Sequence, residues 1–162
     1  MKYLVIGLES SSTKILTKLV AYNLSLIDNV DNWDGHEFVC DKENLVVHRS
    51  IPHGPEDIFI DQEFINDFDY VVLCTRDWTC SLLSKIESHE HNVIKANDQH
   101  EKGLSLIKSF LDNNNVFIFS SETAFLLQEN YTKIFLNSIG ILDAKHLHFE
   151  NPNKKYIKSL GL

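Results

Sequence analysis

Apolar residues along this chain fall into short β-branched runs that alternate with longer amphipathic stretches. Strand-like runs lie at 3–7, 44–48, 69–75, 92–96 and 115–120, and helical periodicity at about 11–24, 78–88, 100–113 and 122–139. Several of the strands are continuously apolar, as in Leu45-Val46-Val47, Tyr70-Val71-Val72-Leu73 and Val116-Phe117-Ile118-Phe119. Strands of that kind are covered on both faces, which predicts a three-layer α/β sandwich around a mainly parallel sheet. The stripe Phe125, Leu126, Ile134, Phe135 and Ile139 has helical spacing and reads as core. Residues 25–43, with Asn29, Asp31, Asn32, Asp34 and Gly35, read as a turn-rich excursion, and Pro52 and Pro55 bracket a second loop. Past Asp143 the chain turns irregular and basic, as a closing flap or a loose tail would.

In such sheets ligands sit beyond the carboxyl ends of the strands. Four segments are expected at that rim: Gly7 to Lys14, His48 to His53, Arg76-Asp77, and Ser120-Ser121-Glu122. The first holds four hydroxyl side chains, Ser10, Ser11, Ser12 and Thr13, between a strand and a helix. A loop of that kind aims backbone N–H groups at an anion, and the helix N-terminus adds about half a positive charge. It is not a Walker A loop. Ser12, Thr13 and Lys14 occupy the glycine, lysine and hydroxyl positions of that pattern, so the lysine is displaced by one residue and turned about 100° round the helix. Arg76 ends the most convincing buried strand, and its fork suits phosphate oxygens.

Composition narrows the partners. With 162 residues, 43% of them hydrophobic, the chain has the size of one domain, 1–162. A formal charge of −8 argues against a broad nucleic-acid or acidic-membrane surface, while leaving room for a local anion pocket. Cys40, Cys74 and Cys80 form no CxxC pair, no apolar run approaches the roughly 20 residues of a membrane span, and Met1-Lys2 leads directly into a strand. These features point to a soluble cytoplasmic protein. Nothing in the sequence indicates its oligomeric state.

Three motifs, in order, give the chain a resemblance to the sulfotransferase family of P-loop proteins. Glu9-Ser10-Ser11-Ser12-Thr13-Lys14 resembles the family's Pro-(Lys/Arg)-Ser-Gly-Thr-Thr loop, with Ser11 and Thr13 on matching positions. Val72-Leu73-Cys74-Thr75-Arg76 with Ser84 is similar to its strand ending in Arg with a Ser eight residues on. Phe117-Ile118-Phe119-Ser120-Ser121-Glu122, running on to Leu136-Asn137-Ser138-Ile139-Gly140-Ile141, looks like its late strand and helix. The matches span residues 3 to 141.

The resemblance implies a P-loop-like fold and 3′-phosphoadenosine 5′-phosphosulfate (PAPS) as co-substrate, with no metal. Ser10, Ser11, Ser12, Thr13 and Lys14 would hold the phosphosulfate, Arg76 and Ser84 the 3′-phosphate. An unidentified hydroxyl or amine acceptor would receive the sulfuryl group. His48, just past the second predicted strand, matches the family's general base, with His53 as runner-up. Ser10 stands where the family carries a loop cation, and Lys14 is the candidate replacement. Two other readings compete: a small nucleotide kinase requiring magnesium, and a catalytically inactive nucleotide-binding module. The His89-x-His91 and His146-x-His148 pairs lack the third and fourth ligands of a zinc site and read as structural.

Overall fold

The computed structural model describes residues 1–29, 38–52, 60–89, 92–148 and 150–159. Within them five strands, β1 (Lys2–Leu8), β2 (Phe38–Cys40), β3 (Leu45–Ile51), β4 (Tyr70–Thr75) and β5 (Val116–Ser120), form one sheet in the order β2-β3-β1-β4-β5. The helices are α1 (Thr13–Asn23), α2 (Gln62–Asn66), α3 (Trp78–His89), α4 (Val93–Phe110), α5 (Ser121–Ser138) and α6 (Lys154–Ser159). All neighbouring pairs are parallel except the short edge strand β2, which runs antiparallel to β3. The expected α/β architecture with a mostly parallel sheet is therefore present.

Alternate residues of β1 divide the core. Tyr3 and Val5 pack with Leu16, Leu19 and Val20 of α1 and with Phe135, Leu136 and Ile139 at the α5 end. Leu4 and Ile6 face the opposite layer, with Ile65 and Phe68 at α2 and Ile107 and Phe110 of α4. Each apolar side chain so buried contributes about 1.5–3 kcal/mol. Because parallel crossovers are right-handed, the chain leaves β1 toward β3 over one face, then passes to β4 and β5 over the other. The connections out of β1 and β4 thus diverge, and a crevice opens above the paired ends Gly7 and Cys74.

Three elements differ from the sequence expectation. Residues 92–96 are the cap and first turn of α4, not a strand: Asn92 Oδ1 accepts from the Lys95 N–H at 2.8 Å. Val93 and Ile94, the β-branched pair that imitates a strand, lie 60% and 84% exposed, while Ala96, His100, Gly103, Ile107 and Phe110 bury a helical stripe. Of the two expectations for the segment past Asp143, a flap or a loose tail, residues 150–159 do not fit the tail, since α6 packs on α3 and Asn153 and Tyr156 are buried. Of the predicted apolar stripe on α5, Phe135 and Ile139 are core, but Leu126 and Ile134 are exposed. Asp31, Asn32, Asp34, Gly35, His53, Pro55 and His91 lie outside the described residues.

Gly7 is required by close approach. A Cβ there would collide with Ser11 Oγ and lie 2.7 Å from the Cys74 carbonyl oxygen, so the loop after β1 can fold back over the strand only if position 7 has no side chain. The Cys74 contact is backbone inside a sheet and cannot swing away. Gly7→Ala is therefore expected to cost about 1–3 kcal/mol, read as a lowered melting temperature in a thermal unfolding scan. An unchanged melting temperature would show that the loop does not press on β1.

Candidate functional site

The loop between β1 and α1 is held from outside through its carbonyl groups. Ser81 Oγ of α3 donates to the Glu9 carbonyl at 3.0 Å, Arg76 Nη1 to the Ser10 carbonyl at 2.6 Å, and Ser121 Oγ of α5 to the Ser11 carbonyl at 3.2 Å. The Leu8 and Ser12 carbonyls accept from the N–H groups of Ser11 and Leu16. With carbonyls 8 to 12 all engaged, the opposite edge of the loop is left with donors. Among the described residues, none accepts from the N–H of Ser10, Ser12, Thr13, Lys14 or Ile15. Ser12 caps α1 by position but makes no side-chain cap bond, so the first turn keeps the free donors of a helix N-terminus.

Ser10 and Ser12 take left-handed φ values of 65° and 70°. Left-handed residues of this kind are the backbone units from which anion nests are built, and here they flank Ser11, whose N–H is taken by the Leu8 carbonyl. For a non-glycine residue each such conformation costs on the order of 1 kcal/mol. Ser11, 2% exposed, and Ser12 also bury hydroxyl oxygens that have no partner.

Arg76, just past β4, has two of its nitrogens engaged: Nη1 on Ser10 and Nε on Asn153 Oδ1 at 2.7 Å. Nη2 is buried and has no partner. Burial pulls the guanidinium below its ordinary pKa, with nearby Cys80, Tyr156, Glu122 and Asp77 acting in the other direction. Asn153 in turn donates to Glu122 Oε1 at 2.9 Å, and the same oxygen accepts from the Asp77 N–H at 2.8 Å. Glu122 thus ties the C-terminal segment to the β4 turn. The cap of α5 is Ser120, whose Oγ accepts from the Thr123 N–H.

Two buried groups lie beneath the loop. His48, 6% exposed, sits inside β3 with Nε2 2.8 Å from Thr13 Oγ1. On the other side Lys85, with no exposed surface, puts Nζ 2.6 Å from Glu9 Oε2. Next to that pair, Ser81 Oγ is 3.0 Å from His100 Nε2. The Ser81 hydroxyl has one proton, given to the Glu9 carbonyl, so His100 carries its own on Nε2 and donates it to Ser81. Burial, and after it the Lys85 charge, hold the His100 pKa down to about 4. Burial also raises the thiols of Cys74 and Cys80, so neither is a ready thiolate.

Six residues singled out from sequence, Ser10, Ser12, Thr13, Lys14, His48 and Arg76, border one cavity of about 400 Å³. Ser11 lies behind it, over Gly7. Ser84 is half-buried on α3 and does not border the cavity, whereas Ser88, one turn further along, does. Lys14 is exposed, as its place on the helix predicts. Sequence reasoning missed Lys85, Asn153 and His100. The spacing of Trp78, Ser81 and Lys85 was a signal, since positions 0, 3 and 7 share one helical face.

Among the described residues no three His, Cys, Asp or Glu side chains are grouped to hold a metal ion, and no helix is long and apolar enough to cross a membrane. No protein-family model, curated protein or solved structure matches the chain.

The His100 environment fixes a pH dependence. The imidazole stays neutral in the folded protein until about pH 4, while in the unfolded chain it takes a proton near 6.5. Its contribution to stability is complete above pH 6.5 and is lost as pH falls from 6.5 toward 4. Melting temperatures of wild type and His100→Gln are expected to converge, or cross, over that window, with wild type the more stable at pH 7.5. Parallel pH profiles would contradict the buried neutral imidazole.

Proposed function

We propose that the rim binds a phosphorylated nucleotide of the PAPS type in a P-loop-like, sulfotransferase-like arrangement, and that its sulfuryl group passes to a hydroxyl or amine acceptor. The observation that carries this reading is the set of unsatisfied donors around one loop: the N–H groups of Ser10 and of Ser12 to Ile15, the buried hydroxyls of Ser11 and Ser12, and Arg76 Nη2. Buried donors without partners are rare, because each costs about 1–3 kcal/mol unless something accepts from it. An oxyanion satisfies several at once. The 400 Å³ cavity falls within the usual range for small-molecule sites, roughly 300–1,000 Å³.

In the proposed reaction a lone pair of the acceptor attacks sulfur and the bond from sulfur to the bridging phosphate oxygen breaks, leaving its electrons on the nucleotide. The loop N–H groups stabilise the charge that collects there. The acceptor's proton passes to His48 Nε2 through the Thr13 hydroxyl that touches it. Lys14, at the cavity's edge, supplies the cation that position 10 lacks. Arg76 faces the 3′-phosphate, with Ser88, which borders the cavity, in the place expected for Ser84. A magnesium-dependent kinase is less well supported, because Glu9, the one carboxylate among the described residues lining the cavity, is held by Lys85.

Thermal unfolding separates the readings. Adenosine 3′,5′-bisphosphate at a hundred times its Kd stabilises the folded chain by about 2.7 kcal/mol, a rise of roughly 5–10 °C. Arg76→Gln is expected to reduce the rise by more than half. Stabilisation by ATP with magnesium alone would overturn the proposal in favour of the kinase. Radiolabelled sulfate transfer from PAPS to mixed hydroxyl acceptors then tests turnover, and tight binding without transfer would identify a non-catalytic module.

A further inference from the structure

A carboxylate is an unwelcome neighbour for an anion site, yet Glu9 borders the cavity at the start of the loop. Its Oε2 is buried, with Lys85 Nζ 2.6 Å away. Lys85 comes from the second turn of α3, is itself wholly buried, and has Glu9 as the carboxylate in contact with it. A buried ion pair is a poor stabilising device, since desolvating two charges offsets most of their attraction and an apolar pair of similar volume often does as well. The depressed His100 pKa, to which the Lys85 charge contributes, is that of a site where the ammonium is felt.

We propose that Lys85 is a positioning residue that sets the charge of the loop: it pairs with the Glu9 carboxylate at the cavity's edge and cancels its charge, so that the loop donors face an anion without a net negative neighbour. The proposal rests on the anion-binding reading above and adds to it the residue that makes the acidic position 9 compatible with a phosphate or sulfate guest. It also accounts for the full burial of a lysine on a helix that exposes Thr79, Glu87 and Ser88. The same α3 face donates Ser81 to the Glu9 carbonyl, so backbone and side chain of residue 9 are both fixed from one helix.

The test is calorimetric titration of wild type, Lys85→Met, Glu9→Gln and the double variant with adenosine 3′,5′-bisphosphate and, in parallel, with inorganic pyrophosphate, each variant first checked for folding by circular dichroism. Lys85→Met unmasks the Glu9 charge and is expected to weaken both anions tenfold or more. Adding Glu9→Gln to it restores affinity to within threefold of wild type, and Glu9→Gln alone binds at least as tightly as wild type. A purely structural role predicts instead that folded Lys85→Met binds like wild type, or that the second substitution rescues nothing, and either result overturns the proposal. If Lys85→Met does not fold, the other two variants decide: affinity within threefold of wild type supports the proposal, and a tenfold loss in either overturns it. A wild type that binds pyrophosphate but not the nucleotide refutes the nucleotide reading while leaving the charge role tested, and one that binds neither refutes both.

Discussion

The orientation of three peptide groups, those whose carbonyls belong to Glu9, Ser10 and Ser11, governs the rest of this site. Each carbonyl accepts from a side chain of a different segment, Ser81, Arg76 and Ser121, and with them held outward the N–H groups of Ser10 and Ser12 are left without an internal acceptor, while that of Ser11 donates to the Leu8 carbonyl. The arrangement is reachable only because Gly7 lets the loop lie on β1 and because the sheet order brings the ends of β1 and β4 together. Two serines in left-handed conformation and several orphaned buried donors are the energetic cost. Costs of this kind accumulate at positions that function constrains.

Charge is arranged locally against the net charge of −8. Arg76, half-buried and short of one partner, and the helix N-terminus supply positive potential at the crevice. Glu9 would oppose it but is paired with Lys85 beneath the loop. Glu122, the nearby acid on α5, is occupied by the Asp77 N–H and Asn153. The acids around the rim therefore serve as internal acceptors that hold the frame. The C-terminal segment belongs to that frame, because Asn153 links Arg76 to Glu122 and Tyr156 lies under the Arg76 guanidinium, 5.8 Å from ring centre to Cζ.

Much of this was legible from the order of residues. Continuous apolar runs located β1, β3, β4 and β5; β1 and β4 are buried on both faces as such runs imply, whereas β5 lies at the sheet edge with Ile118 exposed. The rim followed from the α/β rule, and six of the eight residues chosen there border one cavity. What stayed hidden depends on tertiary contact. Val93-Ile94 resembles a strand because a cap hydrogen bond from Asn92 leaves no trace in apolar periodicity. The three-residue β2 is too short to carry a pattern. Lys85 was hidden because a lysine on an amphipathic helix is expected in water, and only the Glu9 carboxylate explains its burial. His48 was expected just past the second strand but lies inside β3, which runs four residues beyond its apolar core Leu45-Val46-Val47.

Backbone amide resonances followed by heteronuclear NMR during a titration with inorganic pyrophosphate test the inward-facing donors most directly. Saturable shifts are expected, concentrated in the amides of Ser10 and Ser12 to Ile15, with the Glu9 and Ser11 amides, already bonded to Ile51 and Leu8, moving less. Shifts scattered over surface lysines, or none in residues 10–15 at saturating anion, would contradict that expectation.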